Sequence, residues 1–342
     1  MEVRPIVDQK LFESFVASQP HTPFLQSWQW GAFQERSGWS VSRYRMGDGN
    51  RLVAAVQVLE RALPGEQGYW YIPRGPVVSA SLDRDAALAA MREMLTGIRA
   101  LARPKDVMFI KIEPPLIRDD APLLARQVLG GLRHAPARYV QPSDTILLPL
   151  DKTSHQISEQ LHQKTRYNIH LAERKGVTIR QGVSANDLMA FCRLTATTAS
   201  RDAFVAHDAG YYQTMFELYG FSGALRLFLA EYHGSIIAAN IVMHYGDTVT
   251  YVHGASANEF RNVMAPHLLQ WKQIEYAQSV GARWYDFWGV GSAAAGTQER
   301  WEGITRFKQG FGGVPVGYAG TRDLILKPGW YTLYKFIRRF RT

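Results

Sequence analysis

Cysteine occurs once in the 342 residues, at Cys192. One thiol excludes an intrachain disulfide and any metal site built on a CxxC pair. It falls in an apolar helical run, 188–192, and reads as a buried structural side chain. Long hydrophobic runs are also missing: no stretch approaches the ~20 apolar residues of a membrane-crossing helix. The start, Met1-Glu2-Val3-Arg4-Pro5, lacks the basic-then-apolar pattern of a secretory leader, so the expected location is cytoplasmic. Acidic residues are the scarcer charge, 30 against 39 Lys and Arg, leaving a net charge of +9. That balance points to a polyanionic partner: nucleic acid, a nucleotide-linked substrate or an anionic lipid surface. No Ser-His-Asp spacing, HExxH, P-loop or GxGxxG is present. Metal binding is not expected, and no cofactor is implied.

What is there is an ordinary globular composition, 46% hydrophobic and 20% charged, in a chain long enough for two domains. Hydrophobic spacing alternates between helical and strand periods. Residues 10–37 read as two helices broken at Pro20 and Pro23. Segments 40–45 and 51–61 read as a hairpin turning at 47–50, and 70–72 as a strand. A helix over 82–103 leads to a buried strand at 107–112, and 145–150 reads as another strand. A second round begins with a helix over 154–175 and continues with a strand at 177–179. Helices at 185–200 and 210–219, a hairpin of 224–232 with 235–245, and a strand at 247–254 follow. Then come a helix at 265–280 and strands at 283–288 and 317–324. The repeated order predicts an α/β (α+β) fold, with two copies of one unit built on mixed sheets. The expected domains are 1–150 and 151–320, with a basic helix at 321–342 returning to the first.

Arg306-Phe307-Lys308-Gln309-Gly310-Phe311-Gly312-Gly313, preceded by Tyr285-Asp286-Phe287-Trp288-Gly289, is the most informative segment. It reads as a lysine in a glycine-rich opening between two aromatic-rich strands. A compact ammonium there suits an anion or a developing oxyanion. Lys164 and Arg166 stand on a helix that is either solvated or in contact with a sugar-phosphate backbone. Arg201 can pair with Asp202 across a turn, or form with His207 and Tyr211 a cleft for a diphosphate and sugar. Arg74, in Pro73-Arg74-Gly75-Pro76, sits on a rigid loop at a strand end, where α/β folds hold ligands. Glu113 closes a buried strand as a cap or as a general base for an amine. The tail around Lys335, Arg338, Arg339 and Arg341 interleaves cations with aromatic residues. It reads either as a helix docked on the core or as an amphipathic helix on an anionic membrane.

Taken in order, several segments resemble the Fem family of peptidoglycan-bridge aminoacyltransferases. They are Ser27-Trp28-Gln29-Trp30-Gly31 with Phe33-Gln34, Pro73-Arg74-Gly75-Pro76, Lys164-Thr165-Arg166-Tyr167-Asn168-Ile169, Gly254-Ala255-Ser256 with Pro266-His267-Leu268-Leu269-Gln270-Trp271, Tyr285-Asp286-Phe287-Trp288-Gly289, and the Lys308 segment. The resemblance implies tandem acetyltransferase-like (GNAT) domains without a coiled-coil arm. It also implies transfer of an amino acid from aminoacyl-tRNA to the amine of a UDP-linked or lipid-linked muropeptide, at the inner face of the membrane. Lys308 then lies at the tRNA acceptor end and the reacting carbonyl, Tyr211 binds the precursor, and Trp30 and Phe307 are further substrate-binding residues. Where the family has arginine and a second tyrosine, this chain has His207 and His253, which leaves Arg36 or Arg201 to take the diphosphate. The competing expectations are an acyl-CoA-dependent N-acyltransferase and a non-catalytic RNA- or membrane-binding module.

Overall fold

The computed structural model describes residues 1–49, 51–202, 204–221 and 223–339. Asn50 of the expected 47–50 turn, and Phe340 and Arg341 of the tail, lie outside the described residues. The elements run β1 (Val3–Pro5), α1 (Gln9–Ser18), α2 (Trp28–Arg36), β2 (Ser40–Asp48), β3 (Arg51–Ala62), β4 (Gly68–Ile72), β5 (Val77–Val78), α3 (Arg84–Ala102), β6 (Val107–Ile112), α4 (Ala121–Leu123), β7 (His134–Pro136) and β8 (Asp144–Pro149). They continue with α5 (Ser154–Gln160), α6 (Gln163–Arg174), β9 (Thr178–Gly182), α7 (Ala185–Asp202), α8 (Ala209–Tyr219), β10 (Leu225–Tyr232), β11 (Ser235–Tyr245), β12 (Thr248–Ser256), α9 (Ala265–Ser279), β13 (Trp284–Asp286), α10 (Glu302–Gln309), β14 (Val314–Gly317), β15 (Arg322–Ile325) and α11 (Pro328–Arg339).

Two mixed sheets result, ordered β1-β2-β3-β4-β6-β15-β7, with β5 on β3, and β9-β10-β11-β12-β13-β8-β14. Each is built by one rhythm: a strand, two helices, three antiparallel strands, then a helix that crosses over to a parallel strand. In the first sheet the crossover is β4-α3-β6, and in the second it is β12-α9-β13. The sixth strand of each sheet comes from outside its repeat. β8 precedes the second repeat and pairs with β13; β15 follows it and pairs with β6. The chain accordingly divides into a unit of Met1–Ser143 joined by the segment from Val316 on, and a unit of Asp144–Pro315. The division falls ahead of the expected boundary at 150, because the 145–150 strand hydrogen-bonds into the second sheet.

In the first unit, α3 begins at Asp83, whose carboxylate accepts from Ala86 N at 2.8 Å. It presents Leu88, Met91, Leu95 and Ile98 at three- and four-residue spacing to Val56, Val58, Ile110 and Ile112. Each such side chain contributes ~1.5–3 kcal/mol when fully buried. Every residue of β6 is buried, since β4 and β15 flank it on both edges. Lys111 lies within that strand, and its ammonium pairs with Asp323 of β15 at 2.7 Å.

Three expected elements differ from the structure. The 154–175 helix is two helices, α5 and α6, because Leu161 turns extended. Arg166 then donates to the freed carbonyls of Ser158 (3.3 Å) and Glu159 (2.9 Å). The 317–324 strand is split between β14 and β15, which belong to different sheets; Gly320, at φ +105°, lies in the break. Lys308 lies on the last turn of helix α10 and is buried, where the sequence suggested an open loop between strands. The glycines that suggested the loop follow the helix.

Asp323 is the acid that holds the returning strand, and it also accepts from Tyr331 Oη at 3.0 Å. Removing one partner of a buried ion pair strands the other charge. Asp323→Ala is expected to lower stability by about 3–5 kcal/mol, read as a shift in the denaturant midpoint.

Candidate functional site

Lys308 reaches its position through two attachments of α10. The backbone N–H of His162 donates to Gly310 O at 3.0 Å, which joins the helix end to the start of α6. Gly310 also lies against Thr165, and a Cβ there would overlap the Thr165 hydroxyl. From this perch the Lys308 ammonium donates to Gly289 O at 2.7 Å. Gly289 is aimed by a short turn after β13. Asp286 accepts from Trp288 N at 2.8 Å and from the Thr145 hydroxyl of β8, and Trp288 takes a left-handed conformation at φ +58°. Thr145 Oγ1 is also 3.1 Å from Trp288 O. A carboxylate, a hydroxyl and a strained residue thus present one carbonyl to one lysine.

Burial disfavours the charged form of Lys308 and brings its pKa down from 10.5 to about 7, with the Asp286 carboxylate opposing the shift. Gly289 O is its one hydrogen-bond acceptor among the described residues, and the Tyr251 ring centroid is 5.2 Å from Nζ. Two of the three N–H groups of the ammonium are therefore not spent on the chain. Tyr251 crosses over Gly254, where any Cβ would overlap its hydroxyl; Asn240 Oδ1 lies beside the same position. A bulge sets Tyr251 opposite Val242 and His253 opposite Ile241, so three residues of β12 face two of β11.

Two clusters of imidazole and aromatic rings stand next in sequence to these side chains, one with His253 on β12 and one with Phe307 on α10. In the first, His207 stacks on Tyr211 at 3.8 Å, and His253 meets Tyr212 edge-on at 5.2 Å. His253 is held neutral: burial, reinforced by His207, takes its pKa to about 3. Its buried Nε2 has no partner among the described residues. His207 is lowered by desolvation against the opposing effect of Asp208. In the second, Phe307 packs against His267 at 5.1 Å, and Asn168 Nδ2 lies 3.2 Å from His267 Nε2. Burial and then the charge of Lys164 lower His267 to about 4. The arrangement is one buried, titratable amine accompanied by neutral rings. It can stabilise negative charge on a bound reactant, and it contains no nucleophile poised beside a base.

Of the residues singled out in the sequence, Lys308 faces Gly289 and Tyr251, its neighbour Phe307 packs on His267, His207, Tyr211 and His253 form one ring cluster, and Lys164 is exposed within reach of the His267 charge. Arg166 caps α5, as described above. Arg201 is committed to Asp202 (2.8 and 3.0 Å), Ser256 O (3.1 Å) and Asn258 Oδ1 (3.2 Å), tying α7 to the end of β12. In the first unit, Trp30 is buried between Phe24 and Phe33, and Arg36 is exposed on the last turn of α2. Arg74 is buried, with its guanidinium 3.5 Å from the Tyr318 ring and donating to Pro142 O. Both oxygens of Glu113 are occupied. Oε1 accepts from Val140 N (2.8 Å), Gln141 N (3.2 Å) and Thr321 Oγ1 (2.9 Å), and Oε2 accepts from Tyr71 Oη. Cys192 is half-buried, and burial raises its thiol pKa.

Tyr251, Asn168 and His267 were missed as site residues. The segments holding Asn168 and His267 stood out in sequence, but neither residue type signals a role. Tyr251 could have been found from its place two residues before His253.

The two sheets, each with a helical crossover to a parallel strand, form a tandem acetyltransferase-like (GNAT-like) fold. The fold matches the crystal structure of FemX with a TM-score of 0.85 at 23% identity, over 97% of this chain and 99% of that one. It matches a tandem GNAT protein from the clavulanic acid biosynthesis pathway with a TM-score of 0.55 at 13% identity, over 95% and 98%. The FemAB family model matches residues 7–123, 127–235 and 224–339. The chain belongs to the FemAB family. Among curated relatives, the lipid II:glycine glycyltransferases of Staphylococcus saprophyticus and Staphylococcus aureus are 23% and 24% identical, each over 99% of this chain and 96% of the relative. No long helical arm is present among the described residues: α3 is the longest helix at 19 residues, and Gly220 directly ends α8.

Between pH 7 and 10.5 the unfolded chain keeps a proton on Lys308 that the folded chain has released. Raising the pH through this window therefore favours folding. Wild type is expected to gain stability relative to Lys308→Met from about pH 7 towards pH 10, measured by denaturant unfolding at several pH values.

Proposed function

We propose that this protein transfers an amino acid from aminoacyl-tRNA to the stem-peptide amine of a lipid-linked peptidoglycan precursor, extending an interpeptide bridge. The observation that carries the reading is the buried Lys308 ammonium, with donors to spare in a setting of neutral rings. Family membership and the activity named for the staphylococcal relatives, glycyl transfer to lipid II, supply the substrate class.

The chemistry follows from the ester. The unprotonated acceptor amine attacks the aminoacyl carbonyl carbon, forming a C–N bond and a tetrahedral oxyanion. Lys308 donates to that oxygen, where a fixed charge in a dry site is worth far more than in water. Collapse breaks the bond to the terminal ribose oxygen. That oxygen takes up a proton equivalent to the one the amine loses, leaving an amide and a free tRNA hydroxyl. An aminoacyl ester is already activated, so no covalent enzyme intermediate is needed, in keeping with a site that lacks a nucleophile–base pair. With a pKa of about 7, Lys308 is partly protonated at neutral pH and can return a proton as well as hold one.

The two clusters of neutral rings support separate subsites. His207, Tyr211 and His253 suit the uncharged portions of a muropeptide. Phe307 and His267, with Lys164 beyond them, suit the terminal nucleoside and its phosphate.

The test is transfer of radiolabelled amino acids from a fully charged tRNA pool to lipid-linked and to UDP-linked muropeptide. Label is expected in the lipid-linked acceptor, and Lys308→Ala is expected to slow transfer by about 10²–10³-fold while remaining folded. Transfer only from an acyl-CoA, or transfer unaffected by Lys308→Ala, would overturn the reading.

A further inference from the structure

The carbonyl that holds Lys308 lies just past the end of β13, in a turn clipped to β8 before and after it. Asp286 is the last residue of β13, in register with Thr250 of β12 and Leu147 of β8. Phe287 N donates to Ile146 O at 3.0 Å, and Val290 N donates to Asp144 O at 3.1 Å. Trp288 and Gly289 lie between these two clips. The Asp286 side chain bends the chain there: it accepts from Trp288 N at 2.8 Å and from the Thr145 hydroxyl. An aspartate that accepts from the second N–H after it closes a tight turn on itself. A bulky residue such as Trp288 takes φ +58° only where its surroundings impose it.

Both of these donors need only an acceptor oxygen, which an asparagine would supply as well. The turn requires an acceptor and not a charge. Yet the residue is an aspartate, and it is buried, where an ionised carboxylate is costly unless something gains from it. The group that gains is Lys308. Among the described residues, Asp286 is the one charged group that acts on this amine, and it opposes the effect of burial. The other titratable groups around Lys308 are neutral. Tyr251 on β12 presents its ring, and burial raises its pKa. His267 on α9 packs on the neighbouring Phe307 and is lowered by burial. On α10 itself, Arg306 is exposed and lies 3.8 Å from Glu302.

We infer that Asp286 is the positioning residue of Lys308: through the turn it places the carbonyl that accepts from the amine, and through its charge it favours the ammonium. Its bearing on catalysis rests on the transfer reading, because a developing oxyanion needs a protonated Lys308. Its bearing on Lys308 itself stands on the structure alone. Two substitutions separate aim from charge. Asp286→Asn keeps an acceptor oxygen for Trp288 N and Thr145 and removes the charge. Asp286→Glu keeps the charge and displaces the oxygen by one methylene, which disturbs the turn.

The first measurement is an NMR titration of the full chain carrying lysine isotopically labelled at Cε. The Lys308 resonance is assigned by its loss in Lys308→Met. Wild type is expected to titrate near pH 7. Asp286→Asn, checked for folding by thermal unfolding, is expected to lower the midpoint by about one pH unit or more. Asp286→Glu is expected to titrate close to wild type. The second measurement is kcat for transfer of labelled amino acid to lipid-linked acceptor as a function of pH. The alkaline limb for Asp286→Asn is expected to move down by the same interval as the midpoint, with KM for the acceptor unchanged. Asp286→Glu is expected to lose about a hundredfold in kcat across the profile, as a misplaced amine would.

A Lys308 midpoint that stays in place in folded Asp286→Asn would overturn the inference, and so would wild-type kcat in Asp286→Glu. A midpoint that falls while the alkaline limb does not move would sever the charge of Lys308 from transfer and overturn the catalytic part. If Asp286→Asn does not fold, the Asp286→Glu profile decides by itself. If wild type transfers nothing from charged tRNA to either acceptor, the transfer reading fails separately, and the NMR midpoint still decides what Asp286 does to Lys308.

Discussion

A buried ammonium facing a single backbone carbonyl is the constraint around which the second unit is arranged. Taking a lysine out of water is expensive, and here the opposing attraction from the Asp286 carboxylate is only partial. What charge persists near neutrality is favoured by Asp286, and Gly289 O accepts from the amine. Gly289 in turn is aimed by Asp286, Thr145 and the left-handed Trp288. The strands that supply those residues, β8 and β13, are neighbours in the sheet. The other anchor is Gly310, pressed against Thr165 on α6. Elements as far apart in sequence as β8 and α10 are thus tied to the position of one nitrogen.

Much of the fold is legible in the sequence because the hydrophobic periods are clear. The helices at 185–202 and 265–279, the hairpin of β10 and β11, and the fully apolar strand β6 all stand out by spacing. The repeated order was visible too, and the register shows how complete it is: both repeats run through three antiparallel strands into a parallel crossover. The errors lie where tertiary contacts override local signals. Leu161 and His162 carry no strong breaker, and the helix stops there because Gly310 O accepts from His162 N while the Arg166 guanidinium takes the carbonyls of Ser158 and Glu159. Gly310, Gly312 and Gly313 suggested a loop and hid the helix that carries Phe307 and Lys308 just before them.

The candidate site was legible by chemistry more than by geometry. Lys308 stood out because it is a lone lysine among aromatics and glycines, and the structure keeps that company while reversing its exposure. Arginines fared differently. Arg74, Arg166 and Arg201 were each candidates for ligand contact in sequence, Arg201 with pairing to Asp202 as its alternative, yet each is engaged by the chain's own carbonyls, side chains or rings. A guanidinium has five donors in a rigid fork, and a folding chain offers many carbonyls, so an arginine in a motif is easily structural. The same reasoning covers Glu113, whose four donors make it a well-satisfied buried acid. Tyr251 was missed because its role depends on a bulge, which alternation alone does not reveal.

The first sheet is completed by a strand that arrives late. β15 follows the whole second repeat in the chain, yet it is the partner of β6 and brings Asp323 to Lys111. During synthesis, every element of the 144–315 segment emerges from the ribosome before the strand that closes the first sheet. The segment made second can therefore finish folding while the segment made first still exposes an unpaired edge along β6 and an unmatched lysine within it. Such an edge is a template for unwanted strand pairing. The interval lasts for as long as about 180 residues take to translate, roughly ten to forty seconds at bacterial and eukaryotic rates of ~5–20 residues per second. The order of the strands thus sets a period during which the nascent first unit needs protection that the finished protein no longer requires.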